Sequence, residues 1–458
     1  MKALLLLYRD LRVTDQTALS HALREADELA IAYIYDENSE GIPFDSRYAG
    51  HSVRTRQASL AHMRTALMGL GHQVSSYVGD YVPVLKKIQS VYPFDVIYLN
   101  RFYDAPGQNC FEAAKGLGVE LKAFEDAVVF SSRRILKKDG SPYQMFTPYY
   151  HQWLDRLAST PFEISDLPSE YRAEPVDLEE NAFLEGIEVL PSLPDYNEMM
   201  VKYNLFLKNG LITYMEDREI PSLEGTSGMS VFLNTGMMSP RVFVSRLRQV
   251  QGHDALLRQY VWREFYQQLL ANTPRLIHEP MRREYGLIYW EEDPGYFEAW
   301  TSGTTGVPLV DAAMRALRAT GRLHNRLRMV AASYLIKDLH VNWQLGEKYF
   351  MEQLADAEPA LNNGGWQWCA STGTDSQAYF RVLNPWKQSL KYDSEAIFMK
   401  RWLPEYETAP AEAFHKENGL IGFRCPKSLV DHSLAVRQTK ALYQASKMLY
   451  KRKENASE

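Results

Sequence analysis

Two asparagines, two glycines and two tryptophans lie together in the stretch of this chain that is best suited to chemistry. Asn362 begins a run that ends at Gly365, and Trp366 and Trp368 follow directly. Large indoles beside glycines usually fill core volume at a buried turn. Glycines also let the backbone approach a ligand closely, and indoles offer flat surfaces that can be oxidised. The stretch therefore predicts a site for a planar cofactor or a nucleobase.

A second aromatic group precedes this stretch in the chain. Gln259, Trp262 and Tyr266 have the spacing of one helix face. Such a stripe can be partly buried and purely structural. An indole also offers a stacking plane, and a glutamine amide can both donate and accept hydrogen bonds at a base edge. The spacing leaves both interpretations open.

Small hydroxyl residues form the run from Gly225 to Ser230, just before the apolar segment VFLNTG. Such residues most often cap a helix. The same geometry can present amides and hydroxyls to an anion such as a pyrophosphate. The run therefore predicts a helix start and, more weakly, an anion site.

The segment LHNRLRM carries an arginine among apolar neighbours. If Arg328 is buried it needs a carboxylate partner, and Asp356 or Glu358 could supply it. In the same segment Asn325 and Met329 share a helix face. The segment thus predicts a helix with an ion pair on one side and a polar and thioether face on another.

The elements that must position these residues change character along the chain. Up to about residue 130, short apolar runs alternate with helical patterns, which predicts an α/β domain built on a doubly wound parallel sheet. The expected strands are 3–8, 29–35, 72–78, 95–100 and 119–125. Prolines interrupt residues 131–200, which is typical of a connector. Helical periodicity dominates residues 201–450, so we expect a larger all-α domain there.

Composition excludes several classes of protein. Three widely separated cysteines rule out a disulfide framework and suit a reducing cytoplasm. The histidines show no metal-ligand spacing, and the apolar runs are too short to span a bilayer. The net charge of −6 argues against indiscriminate nucleic-acid binding, although a local basic face could bind phosphate. We expect a cytoplasmic monomer without a metal site or a membrane anchor.

Four motifs stand out in the helical half: TGxPLVDAAMRAL, HNRLRMVAASYLIKDL, WxxGExYFMxQL and NNGGWQWxASTGTDxxxYFRxxNP. Together they resemble the DNA photolyase and cryptochrome family. The likeness is dense from Tyr214 to Leu403, thins over the first 200 residues, and is greatest to bacterial members that repair cyclobutane pyrimidine dimers. It implies a lyase in which photoexcited, reduced FAD passes an electron to a lesion flipped out of DNA.

The resemblance also implies which residues surround the flavin. Arg328 with Asp356 matches an ion pair beside the isoalloxazine, and Glu358 stands where the family has an aspartate near the flavin. Asn362 matches the residue that faces flavin N5. The residues that match the family's flavin phosphate contacts are Tyr214, Thr226, Ser227 and Ser230. Those that match its electron relay from the surface to the flavin are Trp290, Trp343 and Trp366.

The damaged DNA is the partner that the resemblance implies. Trp262 and Trp368 match the walls of the lesion pocket, with Asn325 and Met329 lining it. The residues that match contacts to DNA phosphates, which give affinity without selectivity, are Arg218, Arg326, Arg381 and Lys391.

Gln259 is the main departure from the family pattern. Dimer-repairing relatives carry a glutamate there, whereas glutamine is similar to the animal cryptochromes and the six-four photolyases. A neutral amide can bond a thymine edge but gives no charged stabilisation, so we expect slower repair rather than another lesion. The alternative is a cryptochrome-like blue-light photoreceptor with weak or no repair. The antenna pigment stays open between methenyltetrahydrofolate, a deazaflavin, another pigment and none, because Gly107 and Gln108 replace the expected folate carboxylate.

Overall fold

The computed structural model describes residues 1–44, 50–160, 162–185, 193–374 and 382–457. Among the predicted site residues, Arg381 lies outside these ranges. The chain divides into two compact units. The first comprises Met1–Leu211 and Ser227–Pro274, and the second comprises Ile212–Thr226 and Arg275–Glu458. The predicted domain boundaries at residues 130 and 200 stay predictions.

A parallel sheet organises the first unit. Its strands are β1 (Lys2–Leu7), β2 (Glu28–Tyr35), β3 (Ser75–Val78), β4 (Val96–Asn100), β5 (Glu120–Phe124) and β6 (Glu174–Val176). They lie in the order β3-β2-β1-β4-β5, and β6 pairs with the start of β2. Leu5 in the central strand is paired with Ile31 on one side and Tyr98 on the other. The strand is almost wholly apolar and buried, as the middle of a parallel sheet requires. The doubly wound α/β fold predicted from the sequence is confirmed.

Helices make up most of the remaining regular structure. In chain order the first ten are α1 (Thr17–Glu25), α2 (Glu37–Glu40), α3 (His51–Met68), α4 (Tyr81–Val91), α5 (Ala105–Lys115), α6 (Phe146–Ser159), α7 (Tyr196–Leu205), α8 (Tyr214–Asp217), α9 (Ser230–Thr235) and α10 (Pro240–Leu247). The next ten are α11 (Asp254–Asn272), α12 (Pro294–Ser302), α13 (Pro308–Thr320), α14 (Asn325–Lys337), α15 (Trp343–Gln353), α16 (Pro359–Cys369), α17 (Pro385–Tyr392), α18 (Ile397–Trp402), α19 (Ala411–Phe414) and α20 (His432–Ser457). Beyond Val176 the described residues contain no further strand.

The helices of the second unit begin and end where local sequence dictates. Pro308 and Pro359 occupy the first turns of α13 and α16, where a missing N–H costs nothing. Gly303 and Gly321 end α12 and α13 in the left-handed conformation. These helices pack around a core that includes Trp300. The predicted helical domain is confirmed. No helix of the described chain is both long and apolar enough to cross a membrane.

Candidate functional site

Helix α16 carries Asn362 and both tryptophans of the Trp-x-Trp pair, and its start is set locally. The carboxylate of Glu358 accepts a hydrogen bond from the backbone N–H of Leu361 at 2.7 Å. A carboxylate in this position satisfies an unpaired donor and complements the helix dipole. Glu358 therefore caps the helix that bears Asn362.

The side chain of Asn362 is held by the neighbouring helix α15. Its amide nitrogen donates to the backbone carbonyl of Glu347 at 2.8 Å. The adjacent amide of Asn363 donates to a carboxyl oxygen of Glu347 at 3.0 Å and to the carbonyl of Leu276 at 2.9 Å. Because the nitrogen of Asn362 is engaged by protein, the oxygen of the same amide is the atom suited to accept a hydrogen bond from a ligand.

Glu347 is a site residue that the sequence reasoning missed. Burial raises the pKa of its carboxyl to about 8, and only the hydrogen bond from Asn363 opposes this shift. The group is therefore largely protonated at neutral pH. The motif WxxGExYF contained Glu347, but a glutamate in a helical pattern looks like a solvated residue until the packing around it is known.

Arg328 forms the ion pair for which the sequence offered two carboxylates. Its Nη2 lies 2.8 Å and 2.9 Å from the two oxygens of Asp356, and its Nε donates to the carbonyl of Leu323 at 2.8 Å. The Asp356 side chain is 10% exposed and that of Arg328 is 29% exposed. The pair thus presents a fixed guanidinium at a partly open place in the second unit, and its position beside a flavin stays a prediction.

The three tryptophans of the predicted relay belong to one aromatic core of the second unit. Trp366 and Trp343 are buried in it, and the partly buried Trp290 packs against it. The ring of Trp366 lies so close to Gly346 that a Cβ there would come within 2.2 Å of it. Trp300, which the sequence reasoning did not select, has its ring centroid 6.1 Å from that of Trp366. Burial thus decreases from Trp366 and Trp343 to Trp290.

The predicted phosphate-binding residues are divided between the two units. Tyr214 and Thr226 belong to the second, whereas Ser227 and Ser230 belong to the first. The Ser227 hydroxyl accepts a hydrogen bond from the N–H of Met229 at 3.3 Å, just before α9 begins. This local bond supports the helix-start interpretation of the run, and the anion contacts stay predictions.

In the first unit, Gln259 and Trp262 lie on α11, and Trp262 has an aromatic support. Its ring is parallel to that of Phe146 on α6, with centroids 3.6 Å apart and an angle of 6° between the planes. Tyr266 lies 5.5 Å from Trp262 on the same helix face. One face of the Trp262 indole is therefore occupied by protein, and no sequence pattern indicated that Phe146 would occupy it.

A buried carboxylate attaches α11 to α6. Glu264 accepts hydrogen bonds from the indole N–H of Trp153 at 2.6 Å and from the hydroxyl of Tyr260 at 2.5 Å. Burial raises the pKa of this carboxyl, although its hydrogen bonds oppose the change. Glu264 thereby fixes the helix that presents Gln259 and Trp262.

In the second unit, the polar and thioether face predicted for α14 is present. The Asn325 amide approaches the Met329 sulfur at 3.8 Å. On α16, Trp368 is only partly buried in the core that encloses Trp366. The two indoles of the Trp-x-Trp pair therefore have different surroundings, as residues on different helix faces must.

The predicted phosphate contacts that the structure describes are not isolated cations. The guanidinium of Arg326 pairs with the carboxylate of Glu219. The same carboxylate lies 3.5 Å from Arg218, and Lys391 lies over the ring of Tyr392. Glu219, a further residue that the sequence reasoning missed, thus connects two of the predicted contacts.

Sequence profiles of known families match both halves of the chain. The profile described as DNA photolyase matches residues 3–169, and that of the FAD binding domain of DNA photolyase matches residues 256–445. A deoxyribodipyrimidine photo-lyase of Salmonella typhimurium is 33% identical over 477 aligned positions, and the alignment covers 96% of this chain and 98% of that protein. The likeness therefore extends over nearly the whole chain.

Solved structures agree with this likeness. The crystal structure of a class III photolyase from Agrobacterium tumefaciens superimposes with a TM-score of 0.84 at 29% identity and covers 98% of each chain. A cryptochrome from Synechocystis superimposes with a TM-score of 0.81 at 22% identity, covering 96% of this chain and 99% of its own. At that identity the second likeness concerns the fold alone.

Proposed function

The chain belongs to the DNA photolyase family, and from this premise we propose that it repairs cyclobutane pyrimidine dimers in DNA with light and FAD. The observation that carries the proposal is the arrangement on α16. A fixed amide, that of Asn362, lies on the same helix as the buried indole of Trp366 and the partly open indole of Trp368. One helix thus carries a group for a flavin, a group for electron supply and a group for a base.

The residues of the second unit fit a flavin in their donor and acceptor chemistry. The Asn362 oxygen can accept from a ring N–H, while its nitrogen is held by Glu347. The guanidinium of Arg328, fixed by Asp356, offers a stable positive charge for an electron-rich ring system. When bound, reduced FAD supplies the light-excited electron for the reaction.

We propose that Trp366, Trp343 and Trp290 supply the reducing electron from the surface. Burial decreases from Trp366 and Trp343 to Trp290, which supports Trp290 as the outermost member of the relay. An oxidised indole at a partly exposed site can be reduced by an external donor. Gly346 supports it as well, since the absence of a side chain lets Trp366 pack tightly against α15. The protein's role here is to fix distances and exclude water, without acid–base machinery.

The substrate step splits the two carbon–carbon bonds that join the pyrimidines. One electron enters the lesion, both bonds break, and the electron returns, so substrate and protein undergo no net oxidation. The Phe146 support keeps the Trp262 indole in one orientation, which favours stacking against a flipped-out base. Gln259 can bond a base edge through its amide but cannot supply a charge.

Repair assays test the proposal directly. The purified, reduced protein is illuminated with an oligonucleotide that carries a cyclobutane thymine dimer, and restored thymines are measured by chromatography. We expect thymines to be restored only in the light. If illumination caused no loss of the dimer, that result would contradict the proposal. Gln259→Glu should increase the quantum yield, and an unchanged yield would refute the role given to this amide.

The separate roles proposed for Trp366 and Trp368 on α16 can be tested with single variants. Trp366→Phe should slow photoreduction of the oxidised flavin while pre-reduced enzyme still repairs. Trp300→Phe is the matched control, since it removes another buried indole of the same core. Trp368→Phe should weaken binding of lesion DNA instead. Equal effects of Trp366→Phe and Trp368→Phe on both measurements would contradict the division.

A cryptochrome-like photoreceptor is the second candidate, favoured by Gln259 alone. This function predicts light-driven flavin reduction without restored thymines in the same assay. A six-four photolyase would act instead on an oligonucleotide with that lesion, which serves as the second substrate of the assay.

Direct absorption by the flavin is the simplest proposal for light capture. At the carboxyl edge of the sheet, Arg9, Glu40, Arg56 and Asp104 form a cluster, here called the sheet-edge cluster, whose charges already pair with one another. A methenyltetrahydrofolate or deazaflavin antenna that bound these charged groups would have to displace their present partners. The absorption spectrum of the purified protein tests this, because an antenna adds a band to that of the flavin.

We also propose that the protein acts as a monomer in the cytoplasm. All three cysteines are buried thiols, as suits a reducing compartment. Sedimentation of the purified protein tests the monomer.

A further inference from the structure

Two of the cations expected to meet DNA phosphates, Arg218 and Arg326, lie at one carboxylate, that of Glu219. Arg326 donates to its Oε2 from Nε at 3.1 Å and also from Nη2. The other oxygen, Oε1, lies 3.5 Å from Nε of Arg218. Because both ends of the carboxylate face guanidiniums, Glu219 is the common counter-ion of two predicted phosphate contacts.

A tyrosine ring brings the third cation to the same place. The guanidinium of Arg326 lies 4.4 Å from the ring centroid of Tyr392, and the ammonium of Lys391 lies 5.0 Å from it. A cation over an aromatic face is attracted by the ring quadrupole. Arg218, Glu219, Arg326 and Lys391 therefore form one group of three cations and one anion, here called the Glu219 cluster.

His324 fixes the two arginine-bearing segments to each other. Its Nδ1 accepts a hydrogen bond from the backbone N–H of Arg326 at 3.1 Å, and its Nε2 lies 2.9 Å from the carbonyl of Arg218. Both bonds together require the neutral ring with its proton on Nε2. The geometry of the cluster is thus set by the backbone and not by the ion pairs alone.

We propose that Glu219 is an internal substitute for a DNA phosphate, which occupies the arginines in the free protein and is displaced when DNA binds. The inference rests on the proposed function, because it takes DNA as the partner. The Glu219 carboxylate uses the Nε and Nη2 edge of Arg326, the planar edge that matches a phosphate. The Nη1 atom instead lies 4.0 Å from the Met329 sulfur. A phosphate therefore competes with Glu219 for the same edge.

Partial exposure makes the exchange feasible. The side chains of Arg326 and Glu219 are 20% and 32% exposed, so water and a phosphate can reach the pair. Pairs with this exposure contribute little to stability. Displacing Glu219 therefore changes the free energy of unfolding little. Its competition with phosphate lowers the affinity for any DNA backbone, which restrains binding to undamaged DNA.

Fluorescence anisotropy of the FAD-containing protein with lesion-bearing and undamaged duplexes tests the proposal. Glu219→Gln should tighten binding to both duplexes about twofold to fivefold at low salt. The gain should shrink as salt rises, because salt screens partly exposed charges. Glu216→Gln is the matched control, since it removes an equal charge at an exposed position of α8 and should have a smaller effect.

A double-mutant cycle isolates the competition. In an Arg326→Met background, Glu219→Gln should lose most of its effect, because the contested edge is gone. Equal gains from Glu219→Gln and Glu216→Gln, or weaker binding by Glu219→Gln, would overturn the proposal. A wild-type protein that does not prefer lesion DNA would count against the proposed function alone, since the competition acts equally on undamaged duplex.

Discussion

Two clusters of arginine and glutamate, one in each compact unit, use similar ion pairs in opposite surroundings. In the sheet-edge cluster, Glu40 lies 3.3 Å from Arg9 and 2.5 Å and 2.9 Å from two nitrogens of Arg56, and all three side chains are at most 3% exposed. In the Glu219 cluster, the corresponding glutamate is 32% exposed. Both clusters contain carboxylate–guanidinium pairs, and their access to water differs.

This difference determines what each cluster can do. Removing a partner from a fully buried pair leaves an uncompensated charge, which is strongly destabilising. A partly exposed pair can exchange a partner for water or phosphate at small cost. The sheet-edge cluster is therefore suited to fix the first unit, and the Glu219 cluster is suited to exchange its anion.

The largest expected effect on stability comes from removing the glutamate of the sheet-edge cluster. Glu40→Gln should lower the free energy of unfolding by about 3 to 5 kcal/mol, because Arg9 and Arg56 lose their shared counter-ion. Denaturant unfolding at neutral pH measures this. A loss as small as that from Glu219→Gln would remove the distinction between the clusters.

The interaction of Glu40 with Arg9 and Arg56 also predicts that stability depends on pH. Burial alone would raise the pKa of Glu40, but the guanidiniums of Arg56 and Arg9 outweigh it and hold this pKa below its ordinary value of 4.5. Because the folded-state pKa is the lower one, the stabilisation is present at neutral pH and is lost as the pH falls below about 4.5. In Glu40→Gln this part of the acid sensitivity should disappear.

Glu347 sharpens the comparison, because its half-buried carboxyl meets an amide instead of a guanidinium. Its pKa is raised to about 8, so the folded protein retains a proton that the unfolded chain has lost. Its contribution to stability should therefore fall as the pH rises from about 4.5 to 8. Relative to Glu347→Gln, the wild type should lose on the order of 3 kcal/mol between pH 5 and pH 8. Parallel stability profiles of the two proteins would contradict this.

Variants of His324 test whether the backbone holds the Glu219 cluster together. His324→Ala removes the cap of α14 and should cost about 1 kcal/mol of stability, whereas His324→Asn keeps a capping acceptor and should cost less. Burial lowers the pKa of His324, so acidification below its ordinary value of 6.5 should weaken the cap in the wild type. Thermal unfolding of the three proteins measures the order; equal losses in both variants would show that the cap contributes nothing.

The smallest expected effect on stability comes from Glu219. Glu219→Gln should change the free energy of unfolding by less than about 1 kcal/mol, although it changes DNA affinity measurably. Denaturant unfolding beside the anisotropy measurement checks both. A loss comparable to that of Glu40→Gln would mean that Glu219 is a structural anchor.

Much of the fold follows from local sequence patterns. Alternating apolar runs and helical periodicity predicted the five strands of the doubly wound sheet and the helical domain, because burial on both faces imposes continuous apolar strands. Among the strands of the described residues, only β6 was unexpected: its three residues, Glu174–Val176, carry no apolar pattern, and pairing with β2 makes them a strand. The motifs around Asn362 and Arg328 likewise indicated the family before any contact was known.

By itself the sequence determined the fold class, the family and the residue types available for chemistry, because these depend on periodicity and on ordered motifs. Tertiary structure alone decided which groups meet. It stacked Phe146 on Trp262, placed the half-buried Glu347 against Asn362 and Asn363, and placed Glu219 between two arginines. The physical reason is that ionisation and accessibility depend on neighbours that are distant in the chain. The residue type of a glutamate therefore does not reveal whether it pairs with arginines, how deeply it is buried, or whether water reaches it.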